Sequence, residues 1–137
     1  MEVHPVECLS DNYAYLLVDK ATKQAMAVDP ADAEDVIAAA AKLQLTIVAV
    51  LTTHHHFDHA GGNNEMKKQI PGISVVGGER DNVQGKTRSV ADGEVVVIGD
   101  VAITCVHTPC HTNGHISYLA RAAGTLVGGT SAEAGPT

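Results

Sequence analysis

At 137 residues the chain is long enough for one real core, and its formal net charge of −7 makes nucleic acid or an anionic membrane a poor partner. Lysine and arginine form no tract, and no apolar run approaches the ~20 residues that cross a membrane. The start lacks the basic-then-apolar signature of a secretory signal, so a cytoplasmic protein is expected, with the mitochondrial matrix as the alternative.

Three cysteines, Cys8, Cys105 and Cys110, form no Cys-x-x-Cys and leave at least one unpaired. They read as free thiols of a reducing compartment. Residues 13–18 and 25–28 read as strands around a turn at 19–22, the first with Tyr13, Tyr15 and Leu17 at the alternate positions of a half-buried strand. Asp29 then reads as a helix cap with Pro30 in the first helical position. The helix runs to about Lys42 with Val36, Ile37, Ala40 and Leu43 facing inward. Residues 46–51 are β-branched and apolar, a buried strand. Residues 63–69 make a short helix closed by Pro71-Gly72, and 73–76 a strand. The turn signals Asp92-Gly93 and Gly99-Asp100 bracket a strand at 94–98, followed by strands at 101–106 and 115–120 and a short one at 125–127. Strand, helix, strand, helix and then strands in series predict an α/β fold with helices packed on a mixed sheet.

The chemistry is concentrated in His54-His55-His56-Phe57-Asp58-His59, directly after the buried strand. Alternate residues in a loop leaving a strand share a side, so His54 and His56 can converge on one ion while Asp58 and His59 hold a second. Imidazole with carboxylate suits zinc, and also iron or manganese. A second cluster, His107 to His115, falls in a loop between later strands, and His111 is the natural third ligand for the first ion. Three histidines with an open position make a catalytic arrangement rather than a closed structural one. His55 faces the other way and is not expected to bind metal. His4 and His107 read as structural, His115 as orienting the loop of His111, and Cys110 as a small residue in a tight turn rather than a reactive thiol.

Thr53-His54-His55-His56-Phe57-Asp58-His59, continued by Ala60-Gly61-Gly62-Asn63, resembles the glyoxalase II (hydroxyacylglutathione hydrolase) branch of the metallo-β-lactamase superfamily. Ser10-Asp11-Asn12-Tyr13, Val28-Asp29-Pro30 and Thr108-Pro109-Cys110-His111-Thr112 running on to Tyr118 carry the likeness along the chain. The resemblance implies an αββα layered fold and a pair of metal ions, typically zinc. His54, His56 and His111 would hold one ion, Asp58 and His59 the other. The implied reaction is hydrolysis of S-(2-hydroxyacyl)glutathione thioesters, typically S-D-lactoylglutathione to glutathione and D-lactate, in methylglyoxal detoxification. A hydroxide between the ions would attack the thioester carbonyl, with Asp58 as the catalytic residue that orients it.

Two departures from the pattern stand beside it. Leu126-Val127-Gly128-Gly129-Thr130 puts Gly129 where the family has its bridging aspartate, and Glu133, four residues on, is a poor substitute. The expectation is one incomplete domain over 1–137, the N-terminal half to two-thirds of the fold. The C-terminal strands, a last histidine ligand and the helical glutathione-binding domain would lie beyond it. Such a piece would leave an apolar sheet face open to self-association. The alternative is therefore a catalytically silent, truncated metal-binding domain that associates with another chain. A lactonase or a persulfide dioxygenase with one iron is a third reading, and the residues after the histidine motif count against it.

Overall fold

The computed structural model describes residues 1–9, 12–109, 112–122 and 131–134, with Phe57, Asp58 and 131–134 as backbone alone. Strand β1 (Glu2–Cys8) pairs antiparallel with β2 (Asn12–Asp19), and β2 with β3 (Gln24–Val28). Helix α1 (Ala33–Lys42) then crosses over so that β4 (Thr46–Leu51) lies parallel to β3. The short helices α2 (Phe57–Ala60) and α3 (Asn63–Gln69) lead to β5 (Ser74–Gly78) and β6 (Arg88–Val90), both parallel. These six strands form one sheet in chain order. A second, antiparallel sheet holds β7 (Val95–Ile98), β8 (Val101–His107), β9 (Ile116–Ala122) and β10 (Ser131–Ala134).

The predicted strands through 115–120 and the 63–69 helix appear near their expected places, and four elements are additional. β1 contains Pro5, which cannot donate to a ladder and is tolerated because β1 lies at the sheet edge. β6 has three residues, two of them polar and exposed, so no apolar run announces it. α2 is a single turn inside the histidine motif, and β10 pairs with β9 beyond the last strand signal. The strand expected at 125–127 lies outside the described residues.

Two apolar layers hold the fold. Ala14, Leu16 and Val18 of β2 join Val36, Ala40, Val50, Met66 and Val75 beneath α1 and α3. Leu17, Met26, Leu51 and Val76 point to the opposite face and meet Ile103, Cys105, Ile116 and Tyr118 of the second sheet. The strand read as half-buried is thus buried on both faces over its second half, as strands covered on both sides are. The order is helices, six-stranded sheet, four-stranded sheet. Among the described residues no helix covers the far face of the second sheet, where Val95, Val97 and Leu119 stand 49%, 62% and 39% exposed.

The start of α1 differs from expectation. Asp32, not Asp29, caps it, its carboxylate accepting from the Asp35 N–H at 3.2 Å. Leu43 ends the helix and is exposed instead of facing inward. Asp29 adopts a left-handed φ of 50°, a conformation that costs a non-glycine residue energy and that marks other work for its side chain.

Candidate metal centre

Three parallel strands, β3, β4 and β5, end on the same side of the sheet, and their following residues build the site. This is where open α/β sheets gather function, because loops there lie together while the strands behind them stay rigid. Asp29 follows β3, Thr52 to His59 follow β4, Asp81 follows β5, and the β8–β9 loop brings Thr108, Thr112 and His115. Tyr118 ties this second sheet to the first, its buried hydroxyl donating to the Thr52 carbonyl at 2.7 Å. Burial raises that phenol well above its ordinary pKa, which keeps it a donor. The Ile116 N–H donates to the Thr53 carbonyl at 2.9 Å beside it.

Asp29 organises the motif. One oxygen accepts from the Thr53 N–H at 2.8 Å. The other accepts from the Thr53 hydroxyl at 2.7 Å and from His59 Nδ1 at 3.0 Å. A carboxylate has no proton to give, so the single Thr53 hydroxyl proton points at Asp29. The contact of Thr53 Oγ1 with His54 Nδ1, 2.9 Å, then has the imidazole as donor. Both rings therefore carry their protons on Nδ1 and their lone pairs on Nε2, the tautomer a metal ligand needs. Sequence reasoning missed this role of Asp29. The signal was present in Val28-Asp29-Pro30, but a helix cap accounted for the aspartate locally.

The rings of His56, His59 and His115 gather round His54, with centroids 4.7, 4.3 and 5.1 Å away. His54 is 1% exposed. Burial first, and then the neighbouring His59, push it down to about 4 against the opposite pull of Asp29. It is therefore uncharged at neutral pH, the form in which imidazole binds metal. His115 is buried, its Nδ1 2.9 Å from Thr108 Oγ1, which also contacts Ser117 Oγ at 2.9 Å. His55 turns out of the group and meets Asp81. His4 pairs with Glu2. His107 spans its own loop to the Asn113 carbonyl, and its backbone N–H donates to the Asp92 carboxylate at 2.8 Å.

Among the described residues no three candidate donors already stand in a ready-made coordination set. Of the residues expected to bind metal, His54, His56 and His59 lie together. The side chain of Asp58 and the whole of His111 lie outside the described residues, as do Cys110 and Gly129. The donor chemistry still fits a divalent ion. Adjacent imidazoles, two of them set in the metal-binding tautomer and one kept neutral by burial, line a loop beside an open cleft of about 570 Å³. His55, His56, Arg80, Asn82, Thr112 and Asn113 form its walls.

Glycine permits the close packing behind the motif. A Cβ on Gly62 would run into the Pro30 carbonyl oxygen, so the start of α3 can rest on the β3–α1 loop only without a side chain there.

Known proteins share this frame. The chain is 53% identical over 119 residues to the cytoplasmic hydroxyacylglutathione hydrolase of Arabidopsis thaliana, covering 86% of this chain and 46% of that protein. It is 41% identical over 137 residues to the hydroxyacylglutathione hydrolase of Gloeobacter violaceus, covering 98% of this chain and 54% of that one. The crystal structure of ETHE1 from Myxococcus xanthus superposes with a TM-score of 0.76 at 30% identity, over 88% of this chain and 54% of that one. The chain thus spans about half the length of the curated relatives it matches. The family model described as metallo-beta-lactamase superfamily matches residues 10–137, nearly the whole sequence, and the chain belongs to that superfamily.

Proposed function

We propose that this chain carries the metal-binding half of a hydroxyacylglutathione hydrolase, acting on S-(2-hydroxyacyl)glutathione thioesters such as S-D-lactoylglutathione. The observation that carries the reading is the 53% identity to the Arabidopsis enzyme across the stretch in which Asp29 sets the tautomers of His54 and His59. His54, His56 and His111 would hold one ion, and Asp58 and His59 the other. Zinc is the first choice on donor type, with iron or manganese as alternatives. When bound, such a metal pair supplies hydroxide at neutral pH and polarises a carbonyl oxygen.

The chain's own residues set the stage for that chemistry. Asp29 and Thr53 hold two imidazoles in the metal-binding tautomer, and Asp58 would orient the attacking hydroxide. With that chemistry supplied, the thioester carbon–sulfur bond would give way to a carbon–oxygen bond, releasing the 2-hydroxy acid and a glutathione thiolate that would take up the proton the acid gives up. The cleft beside His55 and His56 is open enough for the acyl end of such a substrate to approach. Cys8 and Cys105 are buried free thiols, in keeping with a reducing, cytoplasm-like compartment.

A second reading rests on Gly129, which stands where the resemblance expects a bridging aspartate and offers no donor. Under it the chain is a silent metal-binding domain that joins another chain through the exposed face of Val95, Val97 and Leu119. One experiment separates the two: hydrolysis of S-D-lactoylglutathione by zinc-replenished chain, with His54→Ala and a chelator as controls. Turnover that both controls abolish supports the hydrolase. Zinc-loaded, folded chain without turnover supports the silent domain.

A further inference from the structure

Three histidines stand in a row, and the outer two are the ones nominated for a single ion. The middle one has a different partner. His55 Nδ1 donates to Asp81 Oδ1 at 2.6 Å, and the His55 backbone N–H donates to Asp81 Oδ2 at 3.0 Å. The Asn82 N–H reaches Oδ1 at 3.1 Å, and the Thr112 hydroxyl reaches Oδ2 at 3.2 Å. A carboxylate offers about four lone-pair sites, and here each has a donor. Asp81 itself is 6% exposed.

The loop that presents Asp81 is fixed in turn. Lys86 Nζ donates to the Asp81 carbonyl at 2.8 Å and to the Gly78 carbonyl at 3.0 Å. A Cβ on Gly114 would stand 2.5 Å from the Asp81 backbone nitrogen, and one on Gly78 would stand 2.5 Å from the Gly114 carbonyl oxygen. The β5–β6 and β8–β9 loops therefore touch backbone to backbone, and Asp81 sits at their junction.

The geometry points to Asp81 and His55 as a positioning pair for the metal centre, setting the distance between the loop of His54 and His56 and the loop of His111. This rests on the metal reading proposed above. One carboxylate grips the residue between two nominated ligands on the first loop and the residue next to the third on the second loop. Ligands contributed by loops far apart in sequence have to meet an ion within about 0.2 Å of their ideal distances. If those loops were loose, the entropy of ordering them would be subtracted from metal affinity. Neither member of the pair would touch the ion. Asp81 acts through the two loops, and His55 is the handle by which the first is held.

Cobalt(II) tests this, because its visible absorption reports the geometry of its ligands. The chain, Asp81→Asn, His55→Ala and the double variant would each be titrated with cobalt, and each metal-free chain melted. An amide at position 81 turns an NH2 toward two donors and breaks about half of the four bonds. His55→Ala removes a side chain 46% exposed, so it leaves folding intact and keeps the test decisive even where Asp81→Asn lowers stability. Asp81→Asn is expected to weaken cobalt binding roughly tenfold or more and to alter the saturated spectrum. His55→Ala should do the same to a smaller degree, and the double variant should be no worse than Asp81→Asn alone. Wild-type affinity and spectrum in both single variants would overturn the pair, even if their melting points fell, and so would losses that simply add. Wild-type chain that takes up no cobalt would overturn the metal reading as well, which distinguishes the two failures.

Discussion

The two sheets of this chain live in different surroundings. The six-stranded sheet is covered on both faces, by α1 and α3 on one side and the second sheet on the other, and its parallel strands end in the site. The four-stranded sheet is covered on one face and contributes one loop to that site. The first is therefore where sequence is most constrained, since most residues of its inner strands β2 to β5 answer to a core or to the histidine motif. The second has a face on which only solvent is met among the described residues.

Substitutions running from the buried layer to the open face should expose this contrast. Leu17→Ala lies between the sheets with no exposed surface and should cost about 3 kcal/mol in denaturant unfolding. A loss below about 1 kcal/mol would mean the inter-sheet layer is not tightly packed. Asp29→Asn should follow, at roughly 2 kcal/mol, because its new amide faces the donors of Thr53 and His59. It should also weaken zinc binding about tenfold or more, measured against a competing chelator. Unchanged zinc affinity would remove Asp29 from the metal centre.

The joints between the sheets come next in size. Tyr118→Phe takes the phenol donor away from the Thr52 carbonyl and should cost about 1 kcal/mol, with the strands otherwise unmoved. Asp19 makes a second joint, accepting from the Asp100 N–H at 2.9 Å, the Thr22 hydroxyl at 2.9 Å and the Ala21 N–H at 3.2 Å. The Asp100 N–H, and then Thr22, hold its carboxyl below the ordinary value of 3.8. A carboxyl lowered by folding stabilises the fold above 3.8, and that contribution is lost as pH falls through the lowered value. Asp19→Asn should therefore flatten the fall in melting temperature on the acid side of 3.8. An unchanged slope would assign that fall to other groups. Smallest of all is Val97→Ala on the open face, expected to stay within about 0.5 kcal/mol. A larger effect would show that this face is covered in solution.

How much was legible in the sequence follows the same division. The buried strand 46–51 and the helix 63–69 were readable because an unbroken apolar run and a short polar helix with its Pro-Gly stop are local signals. The gathering of His54, His56 and His59 was readable because four imidazoles within six residues concentrate metal-ligating side chains in one short loop. β1 was not, since its edge position is what excuses Pro5, and an edge exists only once the sheet is assembled. Asp29 and Asp81 were not either. Apart from the neighbouring Asn82 N–H, the partners of their carboxylates lie 24 to 31 residues away, and the local surroundings offered Asp29 a simpler role as a cap. Asp81, in an exposed-looking loop, carried no signal at all.

The contact between Gly62 and Pro30 has a consequence for how this stretch can change over generations. Asp29 grips the motif at Thr53, and Pro30 is pressed against it at Gly62. Two neighbouring residues thus act as a clasp closing the histidine stretch at both ends. Loops elsewhere absorb an inserted residue at small entropic cost. Here an extra residue would have to be taken up between two fixed ends, in the stretch whose His55 and His56 line the cleft. Length drift should accordingly be tolerated in exposed turns such as Pro71-Gly72 between α3 and β5, while the span from Thr53 to Gly62 is held to a constant count.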